Sequence, residues 1–215
     1  MNSRMPEPVE MIQLQKPVKT RGAIILAGGD SKRFGQLKAL LILEGMTLIE
    51  RVVTGLKPVF NRITVVTDRP ELAAGLNVHC VDDLLTNFPK NPLRGIHAGL
   101  SASDLPFQFV KACDMPFFNP ELVRYMSRFA PHYDVVVPRV GNYYQPLHAF
   151  YSRSCLEPIR RQLERGGGKI IDFYESVKVK YIGTEIINRY DPRQDSFFNI
   201  NTQDDYVEAL RRFKG

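Results

Sequence analysis

The stretch that most constrains this chain is a short apolar run, Gly22-Ala23-Ile24-Ile25-Leu26, that ends at Ala27-Gly28-Gly29. Such a run, bounded by a turn signal, reads as a buried strand. Two adjacent glycines let the backbone turn and approach a ligand with no side chain in the way. Free N–H groups in a loop of this kind can point at phosphate oxygens. Arg33 and Lys38 follow within the same segment, and a guanidinium can grip phosphate with two parallel hydrogen bonds. Strand, glycine loop and two cations together describe a polyphosphate cradle. It is not a Walker loop, because no Gly-Lys-Ser/Thr closes it, and the G-x-G-x-x-G dinucleotide spacing is absent.

Strands and helices alternate beyond that loop. Residues 38–43 are apolar and ambiguous at this length, and Glu44-Gly45 is a turn. A helix is expected over 47–56, where Leu48, Ile49, Val52, Val53 and Leu56 recur at helical spacing and Thr47 can cap. The β-branched run at 62–67 reads as a strand. A short helix over 70–76 and a strand over 78–81 follow, and then a turn-rich loop over 87–95. Helices are expected over 96–103, 121–129, 155–164 and 169–175, and a last one from Thr202 to about Phe213. Strands are expected over 107–112, 134–138, 145–151, 177–182 and 197–201. This alternation argues for an α/β fold with a mainly parallel sheet and helices on both faces. The later strands, with no helix between them, suggest an antiparallel addition that covers the acceptor side. Ligands in open α/β sheets bind outside the carboxyl ends of the strands. The glycine loop, Asp83 and Asp114 all follow expected strands and so converge on one crevice.

The 215 residues suit a single domain, expected over 21–215, with a flexible N-terminal extension over 1–20 that carries three prolines and mixed charge. The net charge of +6 is scattered rather than gathered in a run. It suits anionic small substrates or plain solubility, and nucleic acid is not expected as a partner. Three separated cysteines, Cys80, Cys113 and Cys155, suggest neither a disulfide framework nor a zinc site. No stretch approaches the roughly 18 apolar residues of a membrane span, and no signal-like apolar segment stands at the start. A reducing, cytoplasmic setting without a membrane partner is expected.

Four further segments carry candidate chemistry. Asp114, in Cys113-Asp114-Met115-Pro116-Phe117, leaves an apolar strand and presents its carboxylate at the strand mouth. Alone it could cap a turn, but downstream of a phosphate cradle it suits Mg²⁺, which takes oxygen ligands and keeps several waters. Asn199 and Asn201 alternate in Phe197-Phe198-Asn199-Ile200-Asn201-Thr202, which on a strand puts both amides on one face. An amide oxygen can complete a metal shell and its NH₂ can bind phosphate. Thr67, Asp68 and Asp83 stand at strand ends where base or ribose can be read. The four histidines show no metal-ligand spacing, and Asp82 is expected to point away from Asp83.

The whole pattern L-A-G-G-x-S-x-R-x-G-x-x-K-A, from Leu26 to Ala39, resembles the signature of the sugar-nucleotide-type nucleotidyltransferases. Its Gly-Gly form resembles the molybdenum cofactor guanylyltransferases in particular. The Cys113–Phe117 and Phe197–Thr202 segments resemble that family's magnesium-aspartate and Asn-x-Asn-Thr motifs, and the likeness runs over roughly residues 22 to 210. It implies a three-layer, Rossmann-like nucleotidyltransferase fold that transfers GMP from GTP to the phosphate of molybdenum-bearing molybdopterin, with Mg²⁺ as cofactor. Other molybdenum cofactor enzymes would then be partners. Arg33, Lys38 and Asp114 are implied as catalytic. Leu26, Ala27, Gly28, Gly29, Ser31, Lys38, Thr67, Asp68, Asp83, Pro92, Leu93, Gly95 and Asp114 are implied around the nucleotide. Asp114 and Asn199 are implied on the metal, and Asn199, Asn201 and His148 beside the acceptor. Asp83 is a candidate to accept hydrogen bonds from guanine N1–H and N2–H₂, or from ribose. This chain departs from the family pattern at Leu37, Asn91 and Arg94. The residues leave open a nucleotidyltransferase using CTP or another phosphorylated acceptor, and a non-catalytic nucleotide-binding module.

Overall fold

The computed structural model describes residues 22–28, 37–83 and 85–214. The expected extension over 1–20 lies outside the described residues, as do Gly29, Ser31 and Arg33 of the loop.

At the centre lies β1 (Gly22–Leu26), paired in parallel on one side with β4 (Arg62–Val66) and on the other with β6 (Phe107–Ala112). A strand buried on both faces needs apolar residues at every position rather than alternation, and β1 shows this. Ala23 and Ile25 enter one core cluster, and Ile24 enters the other. The remaining strands are the hairpin β2 (Ile42–Leu43) and β3 (Met46–Thr47), then β5 (His79–Val81), β7 (Val135–Val140), β8 (Tyr143–Tyr144), β9 (His148–Ser152) and β10 (Val179–Gly183). The large sheet runs β10-β7-β9-β6-β1-β4-β5, with β8 beside β7.

The expected antiparallel addition is present. Strand β9 is antiparallel to both β6 and β7 and is inserted between them, inside the sheet. It is wholly buried apart from its last residue, so an interior seat is where its apolar residues lose most contact with water.

Helices cover both faces. On one side α1 (Leu48–Leu56), α3 (Pro120–Ser127) and α5 (Thr184–Tyr190) pack around Phe109 and Phe150. On the other, α2 (Pro92–Ser101) and α4 (Leu156–Glu164) pack around Ile24, Val110 and Tyr151. The last helix, α6 (Gln203–Lys214), closes a third, smaller cluster with Leu43, Leu48 and Ile200.

Local chemistry explains several of these bounds. Thr47 and Glu50 form a reciprocal capping box at the start of α1, which satisfies backbone N–H groups that have no intrahelical partner. Glu44 and Gly45 both have positive φ, 49° and 77°, the pair a two-residue hairpin turn requires. Gly99 lets α2 press onto β1, because a Cβ there would stand 2.6 Å from Ile24.

Three expectations are corrected. The loop over 87–95 ends four residues earlier, because Asn91 caps α2 through Leu93 N–H (2.9 Å) and Pro92 takes the first helical position. The helix over 70–76 is a single 3-10 turn, Pro70–Ala73. The strand over 197–201 does not form. A 3-10 turn, Asp195–Phe197, leads instead into an irregular segment whose Ile200 is sunk in the third cluster and donates its N–H to the Asp114 carbonyl at 2.9 Å.

Candidate functional site

A cavity of about 550 Å³ opens at the carboxyl ends of β1, β4, β5 and β6, where ligands of open α/β sheets bind. One end carries Lys38 and Asp114, and the other carries Asp82, Asp83 and Arg94. Leu26, Ala27, Gly28, Thr67, Asp68, Pro92 and Gly95 also border it. Among the described residues, a Cβ on Gly28 would meet nothing within 4 Å, and Gly28 borders the cavity.

Lys38 is the pivot of the first end. Its ammonium lies 3.2 Å from Asp114 Oδ2 and 2.7 Å from Asn201 Oδ1. Three elements meet at that point: the 3-10 turn Lys38–Leu40, the end of β6 and the segment before α6. The Ile200–Asp114 backbone bond holds the last two together. Among the described residues no group of three His, Cys, Asp or Glu could hold a metal. Asp114 and the Asn201 amide are nevertheless hard oxygen donors already sharing one cation, and a single carboxylate with an amide suits Mg²⁺, which retains waters.

Sequence spacing put Asn199 and Asn201 together; the structure separates their positions. Without a strand the alternation argument lapses, and it is Asn201 that reaches Lys38. Asn199 is exposed and is not on the cavity wall. Leu93 is also displaced from the expected set. It is 0% exposed, because it occupies the inner face of α2 and packs in the core.

His148 is corrected too. It is 0% exposed, in the sheet interior among the rings of Phe109, Phe118 and Phe197, and so does not meet an acceptor. Its Nδ1 lies 3.2 Å from Nζ of Lys111, another wholly buried side chain. Burial and the neighbouring Lys111 charge hold the imidazole well below its ordinary pKa. Burial likewise brings the Lys111 ammonium down to about 7, against the opposing pull of Asp114 and Asp191.

Thr67 lines the cavity but is committed to the scaffold: its hydroxyl donates to the Ala27 carbonyl at 3.3 Å and accepts from Arg69 N–H at 3.1 Å. Asp68 is half-exposed and pairs with Lys90 at 3.4 Å. Cys113 borders the cavity beside Asp114, yet burial, followed by the Asp114 charge, pushes its thiol up to about 12. A thiol held protonated at neutral pH is no nucleophile.

The far end holds a feature that sequence reasoning noted only as a departure. Arg94 Nε lies 2.7 Å from Asp83 Oδ2, and the arginine side chain retains 8% of its exposure. Asp83 Oδ1 accepts from Leu85 N–H at 3.1 Å. Asp82, expected to point away, borders the same cavity. The Asn-Pro pair at 91–92, a cap followed by the first helical residue, is the signal that would have placed Arg94 inside α2 rather than in a loop.

Residues 23–178 match the family described as the MobA-like NTP transferase domain. This chain belongs to that family. Among the relatives of this MobA-like chain is a probable molybdenum cofactor guanylyltransferase of Pelotomaculum thermopropionicum, 42% identical over 86% of this chain and 90% of that protein. A molybdenum cofactor guanylyltransferase of Desulfosudis oleivorans is 38% identical over 89% of this chain and 95% of that one. The crystal structure of molybdopterin-guanine dinucleotide biosynthesis protein A from Archaeoglobus fulgidus superposes with a TM-score of 0.77 at 29% identity, over 90% of this chain and 98% of its own. A 2-C-methyl-D-erythritol 4-phosphate cytidylyltransferase of Thermus thermophilus shares the fold, with a TM-score of 0.67 at 17% identity, over 91% of this chain and 100% of its own. The MobA-like chain is thus a nucleotidyltransferase with the mostly parallel α/β sheet of such enzymes. No helix among its described residues is long and apolar enough to cross a membrane.

Proposed function

We propose that this chain transfers GMP from GTP to the terminal phosphate of molybdenum-bearing molybdopterin in the cytoplasm, releasing pyrophosphate. The observation that carries the reading is the convergence of Lys38, Asp114 and Asn201 at one end of a nucleotide-sized cavity, in a chain whose relatives bear the guanylyltransferase name.

In this reaction an acceptor phosphate oxygen bonds to the α-phosphorus of GTP, and the bond from that phosphorus to pyrophosphate breaks. A phosphate is anionic at neutral pH, so no general base is needed. The task is positioning and charge stabilisation. Gly28 leaves backbone open to the phosphates, and Lys38 meets the charge that builds on the transferring and leaving groups. Arg33 is assigned the same task. Asp114 and Asn201 would hold Mg²⁺, which supplies Lewis-acid neutralisation of the phosphate oxygens. Asn199 is kept as a contact on the acceptor side. Asp83 is placed to recognise the base, and Asp68 stands by the ribose.

The test is product formation with molybdopterin loaded with molybdate, in the presence of Mg²⁺ and each of GTP, CTP, ATP and UTP. GTP-dependent release of pyrophosphate with formation of the guanine dinucleotide is expected. Turnover only with CTP would replace guanylyl by cytidylyl transfer. Nucleotide binding without turnover of any of the four would leave a binding module.

A further inference from the structure

Arg94 is more than nine-tenths buried, yet it borders the cavity. Its Nη1 donates to the Phe88 carbonyl. Its Nε stands at ion-pair distance from Asp83, but the N–H is not aligned as a hydrogen bond, and among the described residues Nε has no hydrogen-bond partner. A buried guanidinium is expensive unless its donors are used, and here they are used incompletely. Beside it, Asp83 has filled one position on Oδ1, while a carboxylate offers about four. An acceptor and an under-used donor are therefore held side by side on the wall.

That end of the cavity is well separated from the phosphate end. In the sheet order β6-β1-β4-β5, Asp83 follows β5 and Asp114 follows β6. Three strand spacings make about 14 Å, a span suited to a nucleotide lying across the strand ends with its base at Asp83.

We propose that Arg94 is a specificity-determining residue, donating to O6 of guanine while the paired Asp83 accepts from N1–H and N2–H₂. The inference rests on the guanylyl-transfer reading and adds a second reader to it. Guanine presents an acceptor followed by two donors, the complement of an arginine beside a carboxylate. Adenine in the same place would set its N6 donor against Arg94 and its N1 acceptor against Asp83, and cytosine would set N4 and N3 in the same mismatch.

The test is calorimetric binding of GTP, inosine triphosphate, 6-thioguanosine triphosphate, ATP and CTP to the full chain. Sulfur is a poor acceptor, so wild type is expected to bind the 6-thio analogue about tenfold more weakly than GTP, as suits loss of a charge-assisted hydrogen bond. Arg94→Met should weaken GTP by about the same factor and bind GTP and the 6-thio analogue alike, while still favouring GTP over inosine triphosphate. Arg94→Lys keeps the charge beside Asp83 and should restore part of the 6-thio discrimination. The wild-type comparison itself requires no variant to fold. Equal binding of GTP and the 6-thio analogue, in a wild type that still prefers GTP to ATP and CTP, overturns the inference alone. A wild type that prefers CTP overturns the guanylyl reading and the inference with it.

Discussion

Lys111 Nζ and His148 Nδ1 lie 3.2 Å apart across paired positions of β6 and β9, and both side chains are 0% exposed. The second partner of Lys111 is the Ser196 carbonyl at 3.3 Å. The pair thus ties β6, the strand that leads to Asp114, to the segment that leads to Asn201.

This tie sets a pH dependence of stability. The folded-state pKa of Lys111 is lowered from 10.5 to about 7. Between those values the unfolded chain binds the extra proton, so stability rises with pH across that window and is lowest below it. The His148 pKa is also lowered, below 6.5, so stability falls as the pH drops beneath that value. Thermal unfolding followed from pH 5 to 10 should show a rising midpoint. Lys111→Met should flatten the rise above about pH 7, a contribution on the order of a few kcal/mol. An unchanged slope in that variant would refute the assignment.

Lys38 and Asp114 share the end of the cavity with Asn201 rather than with Asn199. Lys38→Met and Asp114→Asn are each expected to lower kcat by about a hundredfold or more, the scale of removing one aimed charge-stabilising group. Asn201→Ala should cost about tenfold, an amide contact to a charged partner, and Asn199→Ala clearly less. Steady-state kinetics on the four variants checks the ranking, and an Asn199 effect larger than that of Asn201 would reverse it.

Thr47 closes a capping box with Glu50 at the head of α1, with the Glu50 carboxylate 2.7 Å from Thr47 N–H. Thr47→Ala should reduce stability by about 1 kcal/mol, read from urea unfolding with an unchanged m-value. Because neither Thr47 nor Glu50 borders the cavity, GTP affinity should stay as in wild type.

Gly99 faces Ile24 so closely that an added Cβ would lie 2.6 Å away, and Ile24 is wholly buried. Gly99→Ala should therefore destabilise by about 1–3 kcal/mol through overpacking, although alanine is the better helix former. A variant as stable as wild type would show that α2 can lift from β1 without cost.

The motif at Gly28 and Lys38, the aspartate after β6 and the alternation of elements were legible because each depends on residues close in sequence. Hydrophobic run length announced β1 and β6, and Thr47 announced α1. The reading failed where distant packing intervened. The segment 197–201 alternates like a strand, but burial of Ile200 in the cluster beneath α6 overrides that local preference, and Asn199 is left outside. His148 looked like a site residue because its segment resembles a family one; its burial is decided by β9 lying between β6 and β7.

By itself, then, the chain determined the family signature from Leu26 to Ala39, the α/β class and the residues able to carry charge, because spacing and residue chemistry are local properties. Only the tertiary structure decided which of them meet. Lys38 finds Asn201 across 163 residues, and Asp83 finds Arg94 because an Asn-Pro cap starts α2 early enough to turn the guanidinium inward. Such encounters follow from strand order and from which side chains water excludes, and neither is written in any single stretch of the chain.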